Sequence, residues 1–170
     1  MNQIYDEGLK LFNKGLEELG IELSDVQIEQ FVKFYEMLVE KNKVMNLTAI
    51  TEKDEVELKH FIDSVALSKY YDLSKNLKVI DIGTGAGFPG IVIKIFYPEL
   101  NIVLVDSLNK RINFLNIVIK ELGLERIEAI HKRIEEYAIN NKEKFDVVTA
   151  RAVAPLNILL ELGINLVKIN

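Results

Sequence analysis

The sequence predicts an α/β fold in which a helical region precedes a Rossmann-like parallel sheet. Up to about residue 73 the apolar residues recur at helical spacing, and no strand pattern precedes Lys78. From Leu77 onward, short apolar runs alternate with helical segments. Because apolar strands that are joined by helices form parallel sheets with both faces covered, the second part is expected to be such a sheet. We therefore predict a helical region over residues 1–73 and an α/β domain over residues 74–170.

Three helices are predicted in the helical region. Residues 4–19 have apolar positions at helical spacing, and Gly20 is the expected C-terminal cap. The second helix follows a capping box of Ser24 and Gln27 and keeps one apolar face through three turns. Thr51 is expected to cap the third helix.

Strands and helices alternate in the predicted α/β domain. The strands are expected at 77–82, 101–106, 127–132 and 145–150, and the helices at 89–96, 109–122, 134–139 and 155–168. Ligands of such sheets bind outside the carboxyl ends of the strands. Functional side chains are therefore expected where the strands end.

The stretch 79–90, VIDIGTGAGFPG, has the pattern of a ligand-binding loop between a strand and a helix. Gly83, Gly85 and Gly87 recur at every second position, where the backbone turns sharply and approaches a ligand without an intervening Cβ. Pro89 is favoured at the first position of the following helix. This arrangement directs backbone N–H groups and a helix start at a bound small molecule.

The composition excludes several classes of protein. At 170 residues and 49% hydrophobic residues, the chain is long and apolar enough to bury a sizeable core. It has no cysteine and only two histidines, which excludes a disulfide framework, a thiolate nucleophile and a zinc cluster. The N-terminus does not resemble a signal peptide, and no apolar run approaches the ~20 residues of a membrane span, so a cytoplasmic protein is expected. The net charge of −5 does not favour a polyanionic partner, although a local basic patch can override it.

Two nucleotide cofactors fit the glycine loop. Residues 85–90 match GxGxxG, and Asp106 follows about 20 residues later, as an NAD site requires. However, Pro98 stops the helix after two turns, and Asp81 precedes the first glycine. An acid before three alternating glycines, with a second acid at the end of the next strand, resembles class I S-adenosylmethionine-dependent methyltransferases. We favour that cofactor over NAD.

Each polar group of S-adenosylmethionine has a suitable partner in this pattern. Loop N–H groups suit its carboxylate, Asp81 suits its ammonium group, and Asp106 offers two acceptors to the ribose diol. The competing interpretations are structural: Asp81 as a helix-capping residue and Asp106 as a turn residue.

Six segments in fixed order carry a more specific resemblance. They are NKVMNLT (42–48), HFIDS (60–64), DIGTGAGFPG (81–90), VDSLNKRINFL (105–115), RIEEY (133–137) and ARAVAPL (150–156). Together they resemble the glucose-inhibited division protein B family, the RsmG-type methyltransferases of bacterial 16S ribosomal RNA. The resemblance implies a class I methyltransferase fold, S-adenosylmethionine as cofactor, and methylation of guanine N7 in a loop of 16S ribosomal RNA.

The resemblance also implies roles for individual residues. Gly83 and Phe88 correspond to loop contacts with the cofactor, residues 106–108 to its ribose and adenine edge, residues 134–135 to its adenine pocket, and Arg151 to a junction of cofactor and substrate. The predicted cofactor residues are Asp81, Gly83, Gly85, Phe88, Asp106, Ser107, Leu108, Ile134, Glu135 and Arg151. The predicted RNA contacts are Asn46, His60 and Arg133, on a surface that also includes Lys41, Lys43, Lys59 and Lys132. No general base and no metal site is predicted, and Arg151 is given only a positioning role.

The family continues through further strands beyond the position that matches Asn170. We therefore expect the sheet to be incomplete at its C-terminal side, with the fourth strand as an open edge and self-association through that edge. A non-catalytic RNA-binding or ribosome-assembly module stays open as an alternative, and an NAD-dependent oxidoreductase is the less favoured one.

Overall fold

The computed structural model describes residues 9–48 and 52–169 and confirms the helical region within them. Its elements are α1 (Lys10–Leu19), α2 (Asp25–Met45) and the broken helix α3, which consists of Lys53–Val56, the π-helical Glu57–Ile62, Asp63–Val65 and the 3-10 turn Ala66–Lys69. Gly20 caps α1 in the left-handed conformation (φ 67°), and the Ser24–Gln27 capping box is formed. Two predictions lie outside the described residues: the start of the first helix at Ile4 and the capping of the third helix by Thr51. No described helix is both long and apolar enough to span a membrane.

The second region is the predicted sheet of four parallel strands. The strands are β1 (Lys78–Ile82), β2 (Asn101–Asp106), β3 (Ile127–His131) and β4 (Val147–Ala150), in the order β3-β2-β1-β4. They alternate with α4 (Gly90–Phe96), α5 (Asn109–Glu121), α6 (Ile134–Ile139) and α7 (Leu156–Gly163). The registers pair Asp81 with Leu104 on one side and with Thr149 on the other. The carboxyl ends of β1, β2 and β4 therefore meet at one edge of the sheet.

Alternate residues of the central strands enter two separate cores. Val79 packs with the helical region, whereas Ile80 and Ile82 pack on the opposite face with Phe145 and Leu166. This two-residue period follows from the strand geometry, because successive side chains point to opposite faces. The sheet is thus covered on both faces, as predicted.

Packed phenylalanine rings join the helical region to the sheet domain. Phe31 of α2 lies 4.7 Å from Phe12, 5.1 Å from Phe61 and 5.1 Å from Phe96, measured between ring centroids. The first three of these rings are fully buried. Since Phe96 belongs to α4, this contact fixes the helical region against the helix that follows the glycine loop. The division at residue 73 stays a prediction.

The prediction for the last helix is wrong in its C-terminal part. Helix α7 ends at Gly163 rather than at residue 168, and the following residues run beside Lys144 and Phe145. The Phe145 N–H donates to Leu166 O at 3.0 Å, and the Lys168 N–H donates to Phe145 O at 2.8 Å. Leu166 is fully buried in the second core, so extended pairing is favoured over helix there.

Strand β4 is an edge strand of the sheet, as the order of the strands shows. Self-association through this edge stays a prediction.

Substitution of Phe31 by alanine should lower the free energy of unfolding by about 3–5 kcal/mol, because it leaves a cavity among three aromatic rings. Chemical denaturation monitored by circular dichroism measures this loss. Tyr70, which is 87% exposed, provides the matched control. Tyr70→Ala should change stability by less than about 0.5 kcal/mol. A Phe31→Ala loss no larger than that of the control would contradict the role assigned to the ring cluster.

Candidate functional site

A cleft of about 310 Å³ lies at the carboxyl edge of the sheet. Its lining residues are Gly83, Val105, Asp106, Ser107, Lys132, Arg133, Ile134, Glu135, Val153, Ala154, Ile158 and Leu162. They come from the end of β2, from the loops after all four strands, and from α6 and α7. The volume falls at the lower end of the range for small-molecule sites. The structure therefore brings the glycine loop, the end of β2 and the start of α6 around one cavity, as the sequence predicts.

Asp106 links the glycine loop to the start of α5. Its Oδ2 accepts hydrogen bonds from the Gly85 N–H at 2.9 Å and from Arg111 Nη1 at 3.2 Å. Its Oδ1 accepts one from the Leu108 N–H at 2.9 Å. An ionised carboxylate has about four acceptor positions, so Asp106 keeps acceptor capacity for a ligand in the cleft. These contacts establish the turn role of Asp106, and its predicted ligand role stays a prediction.

Asp81 is fully buried beneath the glycine loop rather than exposed to the cleft. Its Oδ2 accepts from Thr84 Oγ1 at 2.6 Å and from the Gly90 N–H at 3.0 Å, and its Oδ1 accepts from Thr149 Oγ1 at 3.0 Å. Burial raises the pKa of Asp81 to about 6, although these donors oppose the rise. The geometry supports the helix-capping interpretation, because Gly90 is the first residue of α4. Contact with a ligand ammonium group stays a prediction that this buried position does not support.

The segment after β4 lies over the first glycine of the loop. A Cβ at Gly83 would meet Val153 Cγ2 at 2.5 Å, so only glycine allows this approach. A Cβ at Gly85 would meet no atom closer than the Gly83 carbonyl oxygen at 3.9 Å. Both glycines have φ values near 60°. The wall formed by Val153 and Ala154 has no signal in the sequence, because nothing there shows that the segment folds back over the loop.

The wall around α6 is part apolar and part basic. Ile134 is half-buried and packs against the second core, whereas Arg133 and Glu135 on either side of it are exposed. Lys132 is also exposed at the cleft, and its N–H donates to Asp106 O at 3.1 Å. This wall offers an apolar surface for a flat ring and positive charge at its rim.

Phe88 and Arg151 lie together at a junction with the helical region. The Arg151 guanidinium carbon is 5.1 Å from the centroid of the Phe88 ring, a cation–π geometry. Arg151 also donates to Lys59 O at 3.1 Å, to Asp63 Oδ2 at 3.2 Å and to His60 Nδ1 at 2.9 Å. Phe88 is only 5% exposed. Its predicted direct contact with the cofactor is not supported by this packing, which makes it a support for the loop.

His60 is a neutral hydrogen-bonding link in this junction. Its ring stacks on Phe88 with centroids 4.3 Å apart and an interplanar angle of 15°. Because arginine only donates, Nδ1 must accept from Arg151, and Nε2 then donates to Thr48 Oγ1 at 3.0 Å. Burial and the neighbouring Arg151 charge lower the pKa of His60 to about 4. The geometry favours an interdomain role over direct RNA contact.

The structure thus separates the predicted site residues into two groups. Those at the cleft are Gly83, Asp106, Ser107, Ile134, Glu135 and Arg133. Those behind the loop or at the junction are Asp81, Phe88, His60 and Arg151. Gly85 and Leu108 bond to Asp106 through their backbone, and the Leu108 side chain is 43% exposed. Asn46 is exposed at the C-terminal cap of α2 with φ 48°.

Sequence reasoning missed three threonines that bond to predicted site residues, namely Thr149 and Thr84 at Asp81 and Thr48 at His60. Thr149 would have followed from the β1–β4 register, which pairs it with Asp81, once the strand order was known. Thr84 lies three residues after Asp81, and Thr48 lies in the same motif as Asn46. In the part of the chain that the structure describes, no group of three or more acidic or histidine side chains could hold a metal ion.

Alanine substitutions at Gly83 and Gly85 should separate steric overlap from backbone strain. Both should lose about 1–2 kcal/mol of unfolding free energy, because alanine is disfavoured at positive φ. Gly83→Ala should lose about 1–3 kcal/mol more, because its Cβ overlaps Val153. Urea denaturation measures both losses. In Gly83→Ala/Val153→Ala the extra loss should disappear; equal losses for the two single variants would refute the close approach.

Stability should depend on pH through His60. Between pH 6.5 and about 4 the unfolded chain protonates this ring and the folded chain does not, so stability falls as the pH falls through that window. Asp81 acts in the opposite sense, since its raised pKa makes stability fall as the pH rises from 3.8 to about 6. The effects of the two groups overlap in the parent protein. The His60 contribution must therefore be isolated by comparison with a variant.

His60→Gln is the variant that isolates this contribution, because glutamine cannot titrate. The unfolding free energy of the parent should exceed that of His60→Gln most strongly above pH 6.5. The difference should shrink by more than about 1 kcal/mol as the pH approaches 4. Urea titrations at four pH values measure it, and the titration of all other groups cancels in the difference. A difference that stays constant with pH would exclude a buried neutral histidine.

Two solved structures show the same fold at low sequence identity. YcgJ from Bacillus subtilis aligns with a TM-score of 0.52 and 20% identity over 62% of this chain and 46% of its own. TYW2 from P. horikoshii, solved in complex with MeSAdo, aligns with a TM-score of 0.55 and 14% identity over 64% of this chain and 40% of its own. The fold is the class I methyltransferase α/β fold, as predicted.

Sequence comparison identifies much closer relatives. The chain is 55% identical over 161 residues to the ribosomal RNA small subunit methyltransferase G of Staphylococcus epidermidis, which covers 94% of this chain and 67% of the relative. It is 54% identical over 162 residues to that of Staphylococcus haemolyticus, and this alignment covers 95% of this chain and 68% of the relative. The chain thus spans about two thirds of the length of these relatives. Residues 27–170 also match the GidB family, described as rRNA small subunit methyltransferase G, and the chain belongs to that family.

Proposed function

We propose that the chain transfers a methyl group from S-adenosylmethionine to guanine N7 in a loop of 16S ribosomal RNA. The observation that carries this proposal is the cleft in which Gly83, Asp106 and Ile134 meet at the carboxyl edge of the sheet. Membership of a methyltransferase family favours S-adenosylmethionine over NAD. The short helix α4 agrees with this choice.

The residues of the cleft fit such a cofactor. Asp106 retains acceptor capacity for the hydroxyl groups of a ribose, and Ile134 offers an apolar face to an adenine ring. The space beside Gly85, where a Cβ would meet nothing closer than 3.9 Å, leaves the loop accessible to a ligand. We assign cofactor contacts to Gly83, Asp106, Ser107, Ile134 and Glu135. Asp81, Phe88 and Arg151 are assigned to holding the loop.

The proposed reaction needs positioning rather than proton transfer. S-adenosylmethionine supplies a methyl group bound to a positively charged sulfur. Guanine N7 has a lone pair in the plane of the ring, so no side chain has to remove a proton before it reacts. Holding the two reactants in line supplies an effective molarity of about 10⁵–10⁸ M. The absence of an assigned general base is therefore consistent with the chemistry.

The proposed partner is ribosomal RNA, in the cytoplasm. Lys132 and Arg133 are exposed at the rim of the cleft, where they suit contacts to phosphates around the target guanine. Self-association through β4 also stays a prediction. It is supported by exposed apolar side chains on α7 beside that strand, including Leu156 and Leu160 at 71% and 57% exposure.

A non-catalytic RNA-binding module is the alternative function. It would use the same basic rim but would not need a cofactor cleft. The two functions therefore differ first in cofactor binding and then in methyl transfer.

The parent chain should bind S-adenosylmethionine saturably in calorimetric titration, and Asp106→Asn should weaken that binding about 10- to 100-fold. The reason is that hydrogen bonds to a charged acceptor contribute about 1.5–3 kcal/mol. Asp146→Asn is the matched control, because it removes the same charge from an acid that bonds Lys78 and Lys168 at the amino end of β4. Its affinity should equal that of the parent.

Mass spectrometry of nucleosides from treated small ribosomal subunits then tests the reaction. Formation of 7-methylguanosine supports the proposed function. Binding of NAD in place of S-adenosylmethionine, or equal effects of the two Asn variants, would overturn the cofactor assignment. Cofactor binding and RNA binding without any methylated nucleoside would favour the non-catalytic module.

A further inference from the structure

A second concave surface lies between α2 and α5, apart from the cofactor cleft. This α2/α5 groove has a volume of about 510 Å³. Its lining residues are Met37, Glu40, Lys41, Lys43, Val44, Phe114 and Ile117. Val44 and Ile117 are 77% and 48% exposed, whereas the Phe114 ring is buried beneath them. The floor of the groove is therefore apolar and accessible to solvent.

The ends of the groove are closed by polar contacts that leave its lysines without acidic partners. At one end Lys33 Nζ lies 2.8 Å from Glu121 Oε2. At the other end Lys110 Nζ donates to Met45 O at 3.2 Å. Between these contacts, Lys41 and Lys43 form no ion pair with any residue that the structure describes. In a chain of net charge −5, this is a local excess of positive charge beside an apolar floor.

The groove is adjacent to the cofactor cleft through α5. That helix starts directly after the Asp106–Leu108 turn, and Arg111 in its first turn bonds Asp106 at 3.2 Å. Ile117 lies eight residues after the start of the helix, or about 12 Å along its axis. Asn46, a predicted RNA contact, lies at the same end of α2 as Lys110. An RNA strand that presents its target guanine at the cleft therefore passes close to the groove.

We propose that the α2/α5 groove binds a single-stranded segment of the ribosomal RNA that flanks the target guanine. Lys41 and Lys43 contact its phosphates, and Val44 and Ile117 contact a base. This proposal rests on the proposed function, because it names a further contact surface for the same substrate. Unpaired RNA suits such a surface, since its bases are free to leave the stack and contact apolar side chains while its phosphates meet lysines.

Charge complementarity favours RNA over a protein partner. The two lysines outnumber Glu40 at the rim, and the surface has no acidic cluster that would attract a basic ribosomal protein. An acidic peptide would satisfy the lysines, but it would not use the continuity with the cleft. A protein partner is therefore treated as an outcome of the test.

Photo-cross-linking from single cysteines tests the location directly, because the chain contains no other cysteine. Val44→Cys and Ile117→Cys are each labelled with an azidophenyl reagent and irradiated with small ribosomal subunits. Val26→Cys is the control, since Val26 is 62% exposed on the same helix and lies about 27 Å from Val44 along its axis. We expect adducts with RNA from Val44→Cys and Ile117→Cys and none from Val26→Cys.

Adducts with a ribosomal protein instead of RNA would overturn the proposal, as would equal RNA adducts from all three positions. The absence of adducts from a chain that still methylates the subunit would also overturn it while the proposed function stands. A parent chain that neither binds S-adenosylmethionine nor methylates RNA would refute the proposed function itself. These failures are thus distinguishable.

Charge removal provides the second test. Lys41→Gln/Lys43→Gln should lower affinity for small-subunit RNA about tenfold at low salt and reduce the salt slope of log K by about 1.4, because two phosphate contacts to a single strand are lost. Affinity for S-adenosylmethionine should not change. Lys69→Gln/Lys75→Gln removes the same charge from exposed positions in and after α3, and its salt slope should equal that of the parent. Equal slopes for both double variants would contradict the groove contact.

Discussion

The buried carboxylate of Asp81 is the interaction on which the geometry of the cleft depends. It joins three parts of the chain: the glycine loop through Thr84, the start of α4 through Gly90, and the neighbouring strand β4 through Thr149. A carboxylate without partners in this position would be very costly, so all three contacts are needed together. The same contacts direct the loop toward Asp106, which takes the Gly85 N–H on the cleft side. Two acids therefore hold the loop, Asp81 from beneath it and Asp106 on the side of the cleft.

The junction of Arg151, His60 and Phe88 links the helical region to this loop. Arg151 is held by the His60 ring and by Asp63, and Phe88 stacks against His60. Such a cluster fixes the position of α3 relative to the loop. It requires a neutral His60, because a protonated ring would offer no acceptor to Arg151. The helical region is thus part of the support of the cleft and not an independent appendage.

The positions of the strands along the chain and their parallel type followed from the sequence, because β-branched runs and acidic strand ends have strong local signals; their order in the sheet did not. The β2 bounds of 101–106 and the α6 bounds of 134–139 agree with the predictions. The function of Asp81 did not follow, because burial depends on the neighbouring strand that supplies Thr149. The end of α7 was mispredicted for a similar reason, since Leu166 leaves the helix to fill a core that only the folded sheet creates.

Strand β4 connects the support of the loop with the junction to the helical region. Thr149 bonds Asp81, and two residues later Arg151 bonds His60. The chain then turns at Ala152, with φ 54°, and places Val153 over Gly83 in the wall of the cleft. Val153 therefore lies two residues from Arg151, whose contact with His60 anchors the segment that forms this wall. Because one short segment supplies Thr149, Arg151 and Val153, the support of the loop, the junction with the helical region and the wall of the cleft form one connected structure.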